Sequence, residues 1–299
     1  MNAFIKSIIT FSTVFLLITS LSIMFSNLYV SNKINFKINK NKNILILGDS
    51  HTQCSLNDNI IQNSTNLSES ADTYFYSYIK LKKLLLTNNH IDTLILGFGF
   101  HNITAGQDGW LLDSKINATK IPRYFYMFEK EDIKFMLKIN SHAILNNLIK
   151  IIVTNFTIKT DKTTNQNHKH IGSYLALNKE MSQIELTKFK KVIEKYKKDK
   201  QPLNYAKLEL QNLKNIEKLC STKNIKLILI NTPNIFDQLE VHPEKKKIDL
   251  IKNTFAKNSK YIDKSNMILD LKYFADHDHL NKMGSKLFSE EIIKILKEK

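Results

Sequence analysis

Three short, strongly apolar runs, each with a turn-forming residue at or near its end, constrain the fold of this chain more than any other feature. They are "NILILG" from Asn43, "IDTLILGFGF" from Ile91 and "IKLILINTP" from Ile225. Runs this short are strands, and their lack of a polar face suits a parallel sheet buried on both sides. Between the first two, "YFYSYIKLKKLLLTNN" from Tyr74 has helical spacing, giving a βαβ rhythm. After the third run, "PEKKKIDLIKNTFAKN" is amphipathic, "NMILDL" from Asn266 reads as a short last strand, and "NKMGSKLFSEEIIKILKEK" reads as a closing helix. The expected class is α/β.

The N-terminus carries a separate signal. From Ser7 to Val30 the chain holds no charge, a stretch long enough to cross a bilayer core of about 30 Å at about 1.5 Å per residue. No small-residue cleavage site precedes the polar segment that follows, so residues 1–31 read as an uncleaved transmembrane signal anchor and residues 32–42 as a basic stalk. The remainder, 43–299, reads as one domain with a largely helical insertion at about 104–202. Within it, 130–155 suggests one or two helices, Thr160 to His170 an exposed loop, 179–200 a charged helix and 203–223 a further helix. A single-pass protein of the cytoplasmic membrane with an extracytoplasmic domain is the expected arrangement.

The 44 Lys and Arg against 28 Asp and Glu give a net charge of +16. Arg123 is the sole arginine, and Lys, Asn and Ile recur throughout. This is compositional basicity rather than a nucleic-acid site, where arginine's bidentate contacts are favoured; no nucleic-acid partner is expected. Cys54 and Cys220 exclude a disulfide scaffold and leave room for one bridge at most.

The chemistry is concentrated at the two ends of the domain. "GDS" follows the first strand directly, which puts Ser50 on the turn at the sheet's C-terminal edge, where open α/β sheets form their ligand crevice. A serine needs a histidine base, and that base needs an orienting acid. "FADHDHLNKMG", from Phe274 to Gly284, supplies both: Asp276 and His279 lie three residues apart in a loop that opens on the same edge.

With "GDS" first and "DHDHLN" plus Gly284 last, the sequence resembles the SGNH (GDSL-like) hydrolase superfamily. The resemblance implies a three-layer α/β/α sandwich of flavodoxin-like type, with Ser50 as nucleophile, His279 as base and Asp276 as its partner. It also implies oxyanion donors from two middle blocks, and there the chain departs from the family pattern. "GFGFHN" offers Asn102, shifted by several residues, while a strict alignment puts Gly99 in its place; His101 stands beside them as a pocket residue or an ordinary loop histidine. The second block, "NLSESADTY", lacks glycine, leaving the amide of Ser70 or Ala71. An N-terminal anchor with an "HLN" ending further resembles the branch that transfers acyl groups onto envelope glycans. That implies an esterase or O-acetyltransferase working on glycan or acyl-ester substrates, with a membrane acyl donor as partner and no cofactor or metal.

Two rival readings follow from the same residues. Asp49 and His51 have the "DxH" spacing of a metal-dependent phosphoesterase, although the further ligand blocks of such a site are missing. The weak middle blocks suit a catalytically inactive, membrane-tethered binding protein.

Overall fold

The computed structural model describes residues 2–158, 170–198, 204–235 and 245–298. The expected loop from Thr160 falls outside them except for His170. The chain forms two compact units: Met1–Asn35 with Leu112–His170, and Phe36–Leu111 with Ile171–Lys299.

The second unit is built on a five-stranded sheet in the order β2-β1-β3-β4-β5, with every neighbouring pair parallel. The strands are β1 (Ile44–Leu47), β2 (Ser64–Asn66), β3 (Thr93–Gly97), β4 (Lys226–Asn231) and β5 (Lys260–Asp263). β1, β3 and β4 are the three apolar runs of the sequence. Ile46, Ile95, Ile228 and Ile230 belong to one core cluster with Leu56, Phe288 and Ile292. The intervening Leu45, Leu47, Leu94 and Leu96 are fully buried as well. Both faces of the central strands are therefore covered, and each such side chain contributes about 1.5–3 kcal/mol by leaving water.

The edge strands were not legible as apolar runs. β2 is "STN", and its buried Asn66 donates to the carbonyls of Thr52 and Leu56 in place of a hydrophobic contact. The expected last strand at Asn266–Leu271 is corrected. β5 lies earlier, pairing with β4 through Lys260–Asp263, while Ile268 is 92 % exposed. Met267 and Leu269 pack against the core from an irregular segment and Leu271 from the 3-10 turn that follows it, so alternation there reflects a loop lying on the core and not a ladder.

Helices α2 (Ser50–Ser55) and α3 (Tyr74–Leu85) follow β1 and β2, and the short α4 (Phe100–Ile103) and α5 (Ala105–Leu112) follow β3. The first unit contains α1 (Asn2–Lys33), α6 (Ser114–Tyr124), α7 (Lys130–Leu145) and α8 (Leu148–Thr157). Helix α1 is long and apolar enough to cross a membrane. It packs on α8, and α6 packs on α7 and α8. In the second unit, α9 (Gln183–Lys198) and α10 (Lys207–Thr222) precede β4, α11 (Lys245–Phe255) precedes β5, and α12 (Lys282–Lys297) closes the chain. Part of the expected stalk is docked: Asn88 accepts from the amide of Ile38 and donates to the carbonyl of Phe36, both buried residues. Cys54 and Cys220 are buried free thiols.

Candidate active site

The sheet order reverses direction at β1 and β3, and the crevice of an open parallel sheet lies beyond the C-terminal ends of strands at such a switch point. Residues 48–51 leave β1 there, and residues 98–102 leave β3. Gly48 makes the turn with φ +143°, a conformation closed to residues with a Cβ, and a Cβ would also meet Thr52 Oγ1 at 2.4 Å. Asp49 then caps α2 by accepting the amide of His51 at 2.9 Å. Ser50 is the first residue of α2, where its own N–H has no intrahelical acceptor.

The loop from Phe274 to Asn281 brings the partners. Phe274 pairs with Leu280 in an isolated bridge, and the amide of Ala275 donates to the carbonyl of His279. Inside this closed loop Asp276 accepts the amides of Asp278 and His279 at 2.8 and 2.9 Å. The loop ends where Asn281 caps α12 and donates to the carbonyl of Lys272. Helix α12 is tied in turn to the end of α2: Ser285 donates to the carbonyl of Ser55, and Ser289 accepts from the amide of Asn57. An extended segment gives a further tie, with Leu175 bonded to the carbonyl of Gln53 and Met181 to that of Phe274.

These constraints bring together residues 229 positions apart in sequence. His279 Nε2 lies 2.8 Å from Ser50 Oγ, and its Nδ1 lies 2.9 and 3.0 Å from the two oxygens of Asp276. A carboxylate on Nδ1 fixes that nitrogen as the N–H, leaving Nε2 to accept the serine proton. Burial raises the cost of charging Asp276, but the His279 contact and two backbone amides outweigh it and hold its pKa down at about 2. Burial likewise opposes the imidazolium of His279, and the hydrogen bond and charge of Asp276 outweigh it, so its pKa lies above the ordinary histidine value.

Asp49 is a second focus beside the serine. It is 2 % exposed, and its Oδ2 meets His101 Nε2 at 2.7 Å and accepts from Asn102 Nδ2 at 2.8 Å. Burial works against its charge, yet the His101, His51 and Asn102 interactions prevail and keep the carboxyl well below the usual carboxylate range. His51 stacks on His101 with ring centroids 4.0 Å apart and lies 5.3 Å from the ring of His279. Burial and neighbouring imidazoles depress its pKa to about 4, so it is neutral near pH 7. Among the described residues no group of three or more His, Cys, Asp or Glu is arranged to hold a metal ion.

The expected oxyanion donors have most of their hydrogens committed to one another, to Asp49 or to Gln53. The amide of Gly99 donates to Asn102 Oδ1 at 2.8 Å, and one N–H of Asn102 goes to Asp49. The amide and hydroxyl of Ser70 both point to Gln53 Oε1, at 2.9 and 2.7 Å. Gln53 was not singled out from sequence. Its signal is position: three residues after Ser50, one helical turn along α2, where it meets the loop following β2. His277 and Asp278 pair with each other at 3.1 Å, and His277 stacks on Phe189.

A serine hydroxyl aligned on a carboxylate-oriented imidazole, at a helix N-terminus on the carboxyl edge of a parallel sheet, has the geometry of an activated nucleophile. In comparisons with protein-family models and with curated proteins, the chain matches none.

Proposed function

We propose that the protein is a serine-dependent ester hydrolase or O-acyltransferase of the SGNH (GDSL-like) type, acting on cell-envelope or exopolysaccharide glycans. The observation that carries this reading is the continuous hydrogen-bonded chain Ser50–His279–Asp276. The five-stranded parallel order and the position of the serine at the β1/β3 switch support it, and the reading implies the flavodoxin-like, three-layer sandwich of that superfamily.

In the first half-reaction Ser50 Oγ attacks the ester carbonyl as His279 Nε2 takes its proton. The tetrahedral oxyanion faces the N-terminus of α2, where the Ser50 amide and the second amide hydrogen of Asn102 are the donors this arrangement leaves for it. Collapse expels the alcohol, protonated by His279, and leaves an acyl group on Ser50. A sugar hydroxyl or a water then gives its proton to His279 and takes the acyl group, restoring the serine. Asp276 holds the imidazole in the required tautomer throughout. The apolar helix α1 supports a membrane-anchored enzyme, with the second unit on the extracytoplasmic side where envelope glycans and a membrane acyl donor are met.

The test uses the full chain in detergent, with p-nitrophenyl acetate as donor and added glycan as acceptor. Ser50→Ala and His279→Ala are each expected to lower kcat by about 10³-fold or more with the fold intact. A fluorophosphonate probe is expected to label the native chain and not Ser50→Ala. Full activity in both variants would overturn the reading.

A further inference from the structure

Helix α8 carries an apolar stripe on its outer side, where a water-facing helix carries polar residues. Leu145, just before it, and Ile149, Val153 and Phe156 along it are 52 %, 75 %, 53 % and 49 % exposed. The spacing of three to four residues puts Ile149, Val153 and Phe156 on one face. The opposite face is buried and includes polar residues. Asn155 is fully buried and donates to Ser26 Oγ at 3.0 Å and to Asn27 Oδ1 at 2.7 Å on α1, and Ser26 is itself fully buried. Polar groups paired between two helices with apolar side chains turned outward, here flanked by the exposed Lys150 and Thr157, reverse the soluble pattern and match helices packed in lipid.

The stripe is continuous with the apolar surface of α1. From Ala3 to Ile18 every residue of α1 is exposed, and from Thr19 onward its covered positions follow helical spacing, with Ser26 and Val30 fully buried. The contacts run in step along both helices: Asn155 with Ser26 and Asn27, Phe156 with Tyr29, and the carbonyl of Ile158 with Lys33 Nζ at 2.8 Å. The two helices thus point the same way. Lys33 also lies over the ring of Tyr29, and a Tyr and Lys pair at the end of an apolar helix marks the level of a membrane–water interface.

We propose that the outer face of α8 is a second membrane contact of this protein: Ile149, Val153 and Phe156 sit among the acyl chains of the leaflet bordering the C-terminal end of α1. At ten residues and about 15 Å, α8 is too short to span and enters one leaflet alone. The first unit is then an embedded platform rather than a single-helix tether. The inference rests on α1 spanning the bilayer and is independent of the chemistry at Ser50.

The experiment uses the full chain in phosphatidylcholine and phosphatidylglycerol vesicles. Ile149→Cys and Val153→Cys are labelled with an environment-sensitive fluorophore, with Phe11→Cys on α1 and Leu86→Cys on the second unit as references. Both native thiols are buried, so the surface cysteine takes the label. Labels at 149 and 153 are expected to match the one at 11: blue-shifted, quenched by doxyl-lipids, and without the iodide quenching seen at 86. Iodide quenching at 149 and 153 with protection at 11 overturns the proposal alone. Iodide quenching at 11 as well removes the anchor and the proposal with it. Shielding of 149 and 153 from both quenchers shows that a second copy or another protein covers the stripe, and also overturns it.

Discussion

Asp276, which reaches Ser50 through His279, and Asp49, the serine's neighbour in the chain, show how two carboxylates take different roles through their surroundings. Asp276 faces one imidazole and two amides of its own loop, so its charge is spent on orienting and charging His279. Asp49 is sealed beneath His101 and Asn102 and serves as cap and anchor for both segments that leave the sheet. For acyl transfer His279 must be neutral. Because its pKa is raised, kcat is expected to climb with pH through a limb above about 6.5, the ordinary histidine value. Asp276→Asn removes the charge that raises it. The limb is then expected at lower pH, with kcat down by about 10³- to 10⁴-fold, as read from pH–rate profiles of the two proteins. The sequence made Ser50, Asp276 and His279 legible because each sits in a short motif with its own chemical logic. Gln53 and the contacts of Asp49 with His101 and Asn102 were not, since both depend on which loops the sheet order brings alongside α2.

Among the elements, α12 decides whether the triad closes. Gly284 lies in its first turn against the segment before the triad loop, and a Cβ there would come within 2.2 Å of the carbonyl of Tyr273. Backbone cannot yield as a flexible side chain does. Gly284→Ala is therefore expected to cost about 2–4 kcal/mol in chemical denaturation and to reduce kcat in the protein that remains folded. The apolar spacing of this helix is enough to place it. The final strand is not visible in the same way: "NMILDL" has strand-like composition but forms no strand, whereas "KYID" is an edge strand with one buried residue and little hydrophobic signal. For the same reason β2, three polar residues long, carries no apolar run.

For the molecule as a whole, stability has a pH dependence that does not come from the site. Glu209 on α10 is fully buried, and burial raises its pKa to about 8 against an ordinary 4.5, with the amide of Phe75 on α3 donating to it. Between those values the folded protein keeps a proton on Glu209 that the unfolded chain releases, so the contribution of this residue to stability falls as pH rises from about 4.5 to 8 and levels off beyond. Glu209→Gln retains an acceptor for Phe75 and loses the titration. Thermal melts are expected to show the variant gaining on the native chain across that interval, by on the order of a few kcal/mol at its upper end. What the sequence determined by itself was local: buried strands from short, strongly apolar runs, an apolar helix from a charge-free stretch, and a serine, an acid and a base from short motifs. Only the tertiary structure decided that residues 112–170 group with the N-terminal helix rather than with the sheet, and that α8 turns its apolar side outward. Helical periodicity reveals that a face is apolar, but whether that face meets a protein core or acyl chains is set by what packs on the opposite side.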